Sequence, residues 1–284
     1  MHILRSLREM NLMRKAGLLV WEAHQLVGSL VRPGITTLEI DREVEAFFAK
    51  HNATPLFKGV PGDKGPFPAV CCISVNEEVV HGIPSRRVLK EGDIVSVDTG
   101  CRLDGWCGDA AYTFAIGELD PEVQRLLNVT QGVLELAIDL MSKKSHWSQV
   151  AEQMGTYVRD MGYSTVENFV GHGIGRDMHE EPQVPNFVSP NLQRNGDFSL
   201  EPGLVIAIEP MVNMGTKKVR QHNDSWTQST SDGLPSAHFE HTVAITDKGI
   251  WVLTDPPGVG PNEHVPAVPV PEVKQQRLVR AGRR

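Results

Sequence analysis

The chain has 284 residues and an apolar content of 40%, enough for one large domain or two small ones with a sizeable core. A net charge of −7 at pH 7 excludes a dedicated nucleic-acid binder, and specific DNA binding with it. No stretch approaches the roughly 18 apolar residues of a membrane span, and the N-terminus, MHILRSLREM, lacks the apolar core of a signal peptide, so the cytoplasm is the expected compartment. Cys71, Cys72, Cys101 and Cys107 form no C-x-x-C pair and read as small buried thiols of a reducing compartment.

In chain order, Met10, Met13, Leu18, Trp21 and Leu26 predict a helix over 4–30, broken by Pro33-Gly34. Thr36 and Glu39 have the spacing of a capping box, and Ile40, Val44, Phe47 and Phe48 continue from it as a helix over 37–50. Residues 58–68 are rich in Gly and Pro and form a loop long enough to line a pocket. A strand over 70–75 carries Cys71 and Cys72 and leads to His81, where the chain breaks into Gly82-Ile83-Pro84. A histidine there serves either structure or function, and its place one motif ahead of two carboxylates adds weight to function.

Those carboxylates are Asp98, at the end of the apolar run Ile94 to Val97, and Asp109, which precedes a second β-prone run over 112–116. The turn-rich piece Gly100 to Gly105 between them predicts a hairpin with the two Asp at its facing ends. Buried side by side they repel and need a proton or a cation, although turn chemistry alone also accounts for Asp in such places. Asp120-Pro121 starts a helix with Val123, Leu127, Leu134 and Ile138 on one face, and residues 145–161 form another, ended by Gly162. Arg176 to Pro190 reads as an irregular rim carrying His179. Residues 256–284 hold six prolines, no helical period and a basic end at Arg277, Arg280, Arg283 and Arg284. That end is either simply solvated or touches an acidic partner such as ribosomal RNA.

The carboxylate pattern returns. Pro202 to Glu209 reads like Glu91 to Asp98, and Glu240 to Ile245 echoes the run from Asp109 to Ala115. Each half thus offers two carboxylates at strand ends, which implies an internal duplication whose halves face each other across a site. Gly171-His172-Gly173 lies between them. Four carboxylates and an imidazole are a hard, oxygen-rich donor set, better suited to a pair of catalytic divalent cations than to structural zinc.

With NEEVVHGIP, SVDTG, GDAAYTF, GHGIGRDMHEEP, IEPM and FEHTV in this order, residues 4–254 resemble the type I methionine aminopeptidases. The resemblance implies an α+β, pita-bread (creatinase/aminopeptidase) fold with pseudo-twofold duplicated halves. It implies one catalytic domain over 1–255; the Pro-rich basic tail over 256–284 lies past the last of these motifs and is expected to be dispensable for chemistry. The metal ligands it implies are Asp98, Asp109, His172, Glu209 and Glu240, holding two divalent ions that the donor set leaves open among cobalt, manganese, iron and zinc. His81 and His179 match the substrate-contacting histidines, Glu209 the proton acceptor, and Cys72, Trp226 and Phe67 the methionine pocket. The implied activity is removal of N-terminal methionine from peptides and nascent chains whose second residue is small, by a monomer with no membrane partner. Cys107, Met178 and His238 depart from residues frequent in the family and bear on the shape of the pocket. A proline dipeptidase or aminopeptidase P relative shares the metal set but usually carries an extra N-terminal domain. A non-catalytic binding module on the same fold is expected to lose ligands, and all five are present.

Overall fold

A capping box starts each of the first two helices. The Ser6 hydroxyl accepts the Glu9 amide hydrogen, and the Glu9 carboxylate accepts the Ser6 amide at 2.8 Å, so α1 runs Leu7–Leu30. It starts later than the predicted residue 4, because the Ser6 cap with Glu9 fixes the first helical residue at Leu7. Thr36 and Glu39 cap α2, Thr37–Lys50, at the predicted bounds. The structure, a computed structural model, describes residues 2–190 and 192–269; Arg277, Arg280, Arg283 and Arg284 lie outside the described residues. Among the described residues no helix is long and apolar enough to cross a membrane.

Strands β1 (Thr54–Pro55), β2 (Cys71–Val75) and β3 (Glu78–Val80) precede a long hairpin, β4 (Ile94–Leu103) and β5 (Trp106–Ala115). Helix α3 (Pro121–Met141) begins at the Asp120 cap, and α4 (Trp147–Asp160) follows. The second half carries β6 (Ser164–Thr165), β7 (Gly171–Gly173), β8 (Glu180–Val184), a short π-helix (Leu192–Gly196), β9 (Val205–Ile208) and β10 (Met211–Asn213). It closes with β11 (Val219–Gln221), β12 (Gln228–Thr230), β13 (Ser236–His238), β14 (His241–Thr246) and β15 (Gly249–Val252).

The two halves have separate cores. In the first, Val20, Val27, Ile40, Val44 and Phe48 of α1 and α2 pack on Ile73, Val95 and Val97, behind the sheet β1-β4-β2 with β5 on β4. In the second, Leu134, Ile138, Val150 and Met154 of α3 and α4 pack on Ile206, Ile208, Val243 and Ile245, with the sheet ordered β15-β14-β9-β7-β8. The halves are stitched along β5: the Glu240 amide donates to Ala111 O at 2.9 Å, and the Thr242 hydroxyl donates to Asp109 O at 2.8 Å. The carboxylates of both halves meet at this seam.

Two local expectations change. Residues 100–103 are not turn but strand, and the turn is confined to Asp104-Gly105, both at positive φ (51° and 80°). An Asp-Gly pair is a strong signal for a two-residue hairpin turn, and the flanking side chains Thr99, Cys101, Trp106 and Cys107 are buried, which extends the pairing. Asp98 and Asp109 therefore stand within paired strands, opposite Ala111 and Gly100. The 176–190 rim is also not wholly irregular, because β8 pairs with β7 and brings Val184 into the core.

Residues 256–267 lie along the domain surface. The Arg14 guanidinium donates to the carbonyls of Leu253, Asp255 and Pro256 at 2.8, 2.7 and 2.5 Å. His264 bridges Asp255 at 2.8 Å and Glu135 of α3 at 2.7 Å, and the Ala267 amide donates to Glu135 at 2.9 Å. Burial alone would lower the His264 pKa, but hydrogen bonds to Asp255 and Glu135 outweigh it and raise the pKa from 6.5 to about 9. A raised basic pKa stabilises fully below pH 6.5, and that stability is lost as pH climbs through about 9. At this partly exposed site the contribution is ~1–2 kcal/mol after solvent screening. Denaturant titrations of wild type and His264→Ala are expected to differ at pH 6 and to converge by pH 10; a difference independent of pH would contradict the clasp.

Candidate active site

Strand register sets the first carboxylates. Asp98 lies opposite Cys72 on β2 and opposite Ala111 on β5, while Asp109 lies opposite Gly100. Positions 98 and 100, and 109 and 111, alternate in step, so Cys72, Asp98 and Asp109 share one face. Gly100 makes the room: a Cβ there would sit 2.7 Å from Asp109 Oδ1. In the second half, His241 pairs with Ile208 and His172 with Ala207. Glu209, just past β9, and Glu240, just before β14, therefore leave the same end of the sheet beside His172.

The side chains converge. One ligand-type atom from each of Asp109, His172 and Glu240 lies within 4.8 Å of the others. His172 Nε2 is 3.7 Å from Glu209 Oε1. Asp98 Oδ1, Asp109 Oδ1 and Glu240 Oε1 are buried without a hydrogen-bond partner. Burial, and then the neighbouring carboxylates, push Asp98, Glu209 and Glu240 well above the usual carboxylate range. Burial raises Asp109 to about 8. Burial, reinforced by His179, lowers His172 to about 4, so its ring is neutral at pH 7. Its Nδ1 donates to Gly173 O at 2.9 Å, which leaves the Nε2 lone pair facing the carboxylates. Orphaned acceptor oxygens, mutual repulsion and a neutral imidazole fit divalent cations, which supply the missing positive charge.

These groups form the floor of a cavity of about 270 Å³. Its walls include Phe67, Cys72 and Trp226, with the Phe67 and Trp226 rings edge to face at 5.2 Å. His81 and His179 stand over the floor. His81, at φ 60°, packs its ring on Phe169 at 5.3 Å. Burial, with His179 nearby, lowers His81 to about 4. His179 meets His172 edge to face at 4.4 Å, and burial lowers its pKa as well. All ten side chains singled out from the sequence thus line one cavity.

Val60, from the 58–68 loop expected to line a pocket, also lines it, as do Phe57, Phe169 and Val170, which were not predicted there; their signal was an apolar residue in a segment with no strand or helix to bury it. Of the three departures, Met178 lines the cavity, whereas Cys107 turns its thiol to Arg176 O at 3.4 Å. His238 lies behind Glu209, with Nε2 3.8 Å from Glu209 Oε2. A larger depression of about 710 Å³ lies over α4 and Phe187 to Asp197, but none of the ten residues reaches it.

Residues 11–247 match the model of metallopeptidase family M24. A methionine aminopeptidase of Clostridium perfringens is 46% identical over 254 residues, spanning 89% of this chain and 99% of the relative. Methionine aminopeptidase 1 of Bacillus subtilis is 43% identical over the same shares. The crystal structure of a methionine aminopeptidase from Thermotoga maritima superposes with a TM-score of 0.83 at 40% identity, covering 90% of this chain and all of that one. The duplicated halves, the carboxylate floor at their seam and these likenesses agree: the chain belongs to the methionine aminopeptidases of metallopeptidase family M24 and has their pita-bread fold.

Proposed function

We propose that this hydrolase removes the N-terminal methionine of peptides and nascent chains whose second residue is small, with two divalent ions held by Asp98, Asp109, His172, Glu209 and Glu240. The observation that carries the reading is the union in one cavity of a carboxylate floor whose buried oxygens lack hydrogen-bond partners and an apolar wall of Phe67, Cys72 and Trp226. A methionine side chain suits that wall, because its flexible thioether fills irregular apolar space and contacts aromatic edges favourably. A free α-amine, which an internal peptide bond lacks, would be held at this floor beside the apolar wall, and exopeptidase action follows. Bound metal supplies Lewis-acid polarisation and lowers the pKa of water.

The remaining work falls to the chain's own side chains. His179 is neutral near pH 7 and can donate a hydrogen bond to the oxygen of the first peptide carbonyl as negative charge develops on it. Glu209, whose pKa burial and then Asp109 raise above the usual carboxylate range, can take up a proton and pass it to the departing amine. His81, fixed against Phe169, holds the scissile amide. Cobalt, manganese, iron and zinc all suit the donor set.

A peptide panel tests this reading. Met-Ala-Ser is expected to release free methionine, Met-Lys-Ser and Leu-Ala-Ser far less, and Xaa-Pro dipeptides none. Preferential hydrolysis of Xaa-Pro, or equal rates on Met-Ala-Ser and Met-Lys-Ser, would overturn the assignment.

A further inference from the structure

His179 stands at the end of a loop, Gly175 to Met178, that belongs to no helix or strand. Glu180, next to it, closes that loop: its Oε1 accepts the amide hydrogens of Arg176 at 2.9 Å and Asp177 at 3.2 Å. Its other oxygen, Oε2, accepts from the Arg5 guanidinium, 175 positions away in sequence. Arg5 belongs to the segment before α1, where its amide donates to Gly203 O at 2.7 Å. Its side chain is only 7% exposed and lies 5.4 Å from the centre of the Trp106 ring. The Arg176 guanidinium lies 4.3 Å from the same ring. Gly175 leaves the passage open, since a Cβ there would sit 2.2 Å from Arg5 Nη2 and 2.8 Å from Glu180 Oε1.

A largely desolvated ion pair is weak support for stability, because the cost of removing both charges from water offsets their attraction. Its geometry is the better explanation. The planar guanidinium fixes the Glu180 carboxylate, and the carboxylate fixes the two amides that lead into His179. Trp106 lies on the hairpin that carries Asp98 and Asp109, so the same contacts tie the loop to the carboxylate floor.

We propose that Arg5 is a positioning residue for the reaction: acting through Glu180, it holds the loop that aims His179 into the cavity. The proposal rests on the reading of His179 as a substrate contact. A loosened loop displaces His179 by a fraction of its working distance, which misaligns the donor without removing it.

The test uses full-length, metal-reconstituted Arg5→Ala, Arg5→Lys, Glu180→Gln and the Arg5→Ala/Glu180→Gln pair, all measured where circular dichroism shows them folded. In Arg5→Ala, kcat on Met-Ala-Ser is expected to fall about 10–100-fold with little change in KM. Arg5→Lys should recover part of the loss, and the double variant should lose little more than Arg5→Ala, because both changes break one link. In the metal-free protein, the His179 imidazole NMR signals should shift in Arg5→Ala and return toward wild type in Arg5→Lys. Unmoved His179 signals, or a kcat that tracks only the folded fraction, would overturn the proposal. If Arg5→Ala does not fold, Glu180→Gln, which keeps an amide-accepting oxygen but loses the charge, carries the same test. A wild type inactive on Met-Ala-Ser would count against the His179 reading, and the NMR comparison would still decide the Arg5 link.

Discussion

Replacing His179 by alanine is expected to lower kcat on Met-Ala-Ser by about 10²–10³-fold, the usual loss on removing one donor to a developing oxyanion. Metal affinity should stay at the wild-type level. His179 meets His172 edge to face at 4.4 Å between ring centres, and among the described residues no hydrogen bond joins the two. The orientation of His172 is set instead by Gly173 O, which the substitution leaves in place. Calorimetric metal titration paired with steady-state kinetics checks both halves of the expectation. A variant with near-normal kcat would remove His179 from the reaction, and a variant that no longer binds metal would make it a ligand or a support of one.

The second large effect concerns the metal-free protein. Asp98, Asp109, Glu209 and Glu240 have folded-state pKa values raised by burial, to which neighbouring carboxylates add for Asp98, Glu209 and Glu240. A carboxylate whose pKa rises on folding binds more protons folded than unfolded, so metal-free stability falls as pH rises from about 4 toward 8. Glu240→Gln removes one repelling charge while keeping the size of the side chain. In chelator at pH 8 the variant is expected to be more stable than wild type by about 1–3 kcal/mol, the range of a typical single substitution but of opposite sign to most. The gap should close toward pH 5, where the wild-type cluster takes up protons. With saturating divalent metal the order should reverse, since wild type gains binding energy in its folded state and the variant has lost a ligand. Denaturant titrations at pH 5 and 8, with chelator and with metal, measure all four conditions. A Glu240→Gln protein less stable than wild type in chelator at pH 8 would show that the carboxylates are not in mutual repulsion.

Much of this site was legible because its signals are local. Thr36 with Glu39 marked the start of α2, and Asp120-Pro121 the start of α3. The repeat of Gly92 to Asp98 in Gly203 to Glu209 pointed to paired carboxylates before any register was known. The hairpin turn was misplaced because Gly100 looks like turn chemistry, whereas its missing side chain makes room for Asp109. The Ser6-x-x-Glu9 cap was present in the sequence, but a helix begun at Leu4 ran past it. Contacts that join distant segments left no periodic trace. Arg5 with Glu180 and His264 with Glu135 are single polar pairs across 175 and 129 positions. Phe57 and Phe169 belong to the cavity because of how loops close over the strands, which no spacing rule encodes.

The central claim is that Asp98, Asp109, His172, Glu209 and Glu240 hold divalent metal for release of N-terminal methionine. The direct measurement strips the protein with chelator, removes the chelator, and divides the sample among manganese, ferrous iron, cobalt, zinc and no metal. Each portion is incubated with Met-Ala-Ser, and free methionine and Ala-Ser are quantified by mass spectrometry. Methionine and Ala-Ser in equal amounts, only where a divalent metal has been restored, is the result predicted here; release that persists without metal, or none with any of the metals, would contradict it.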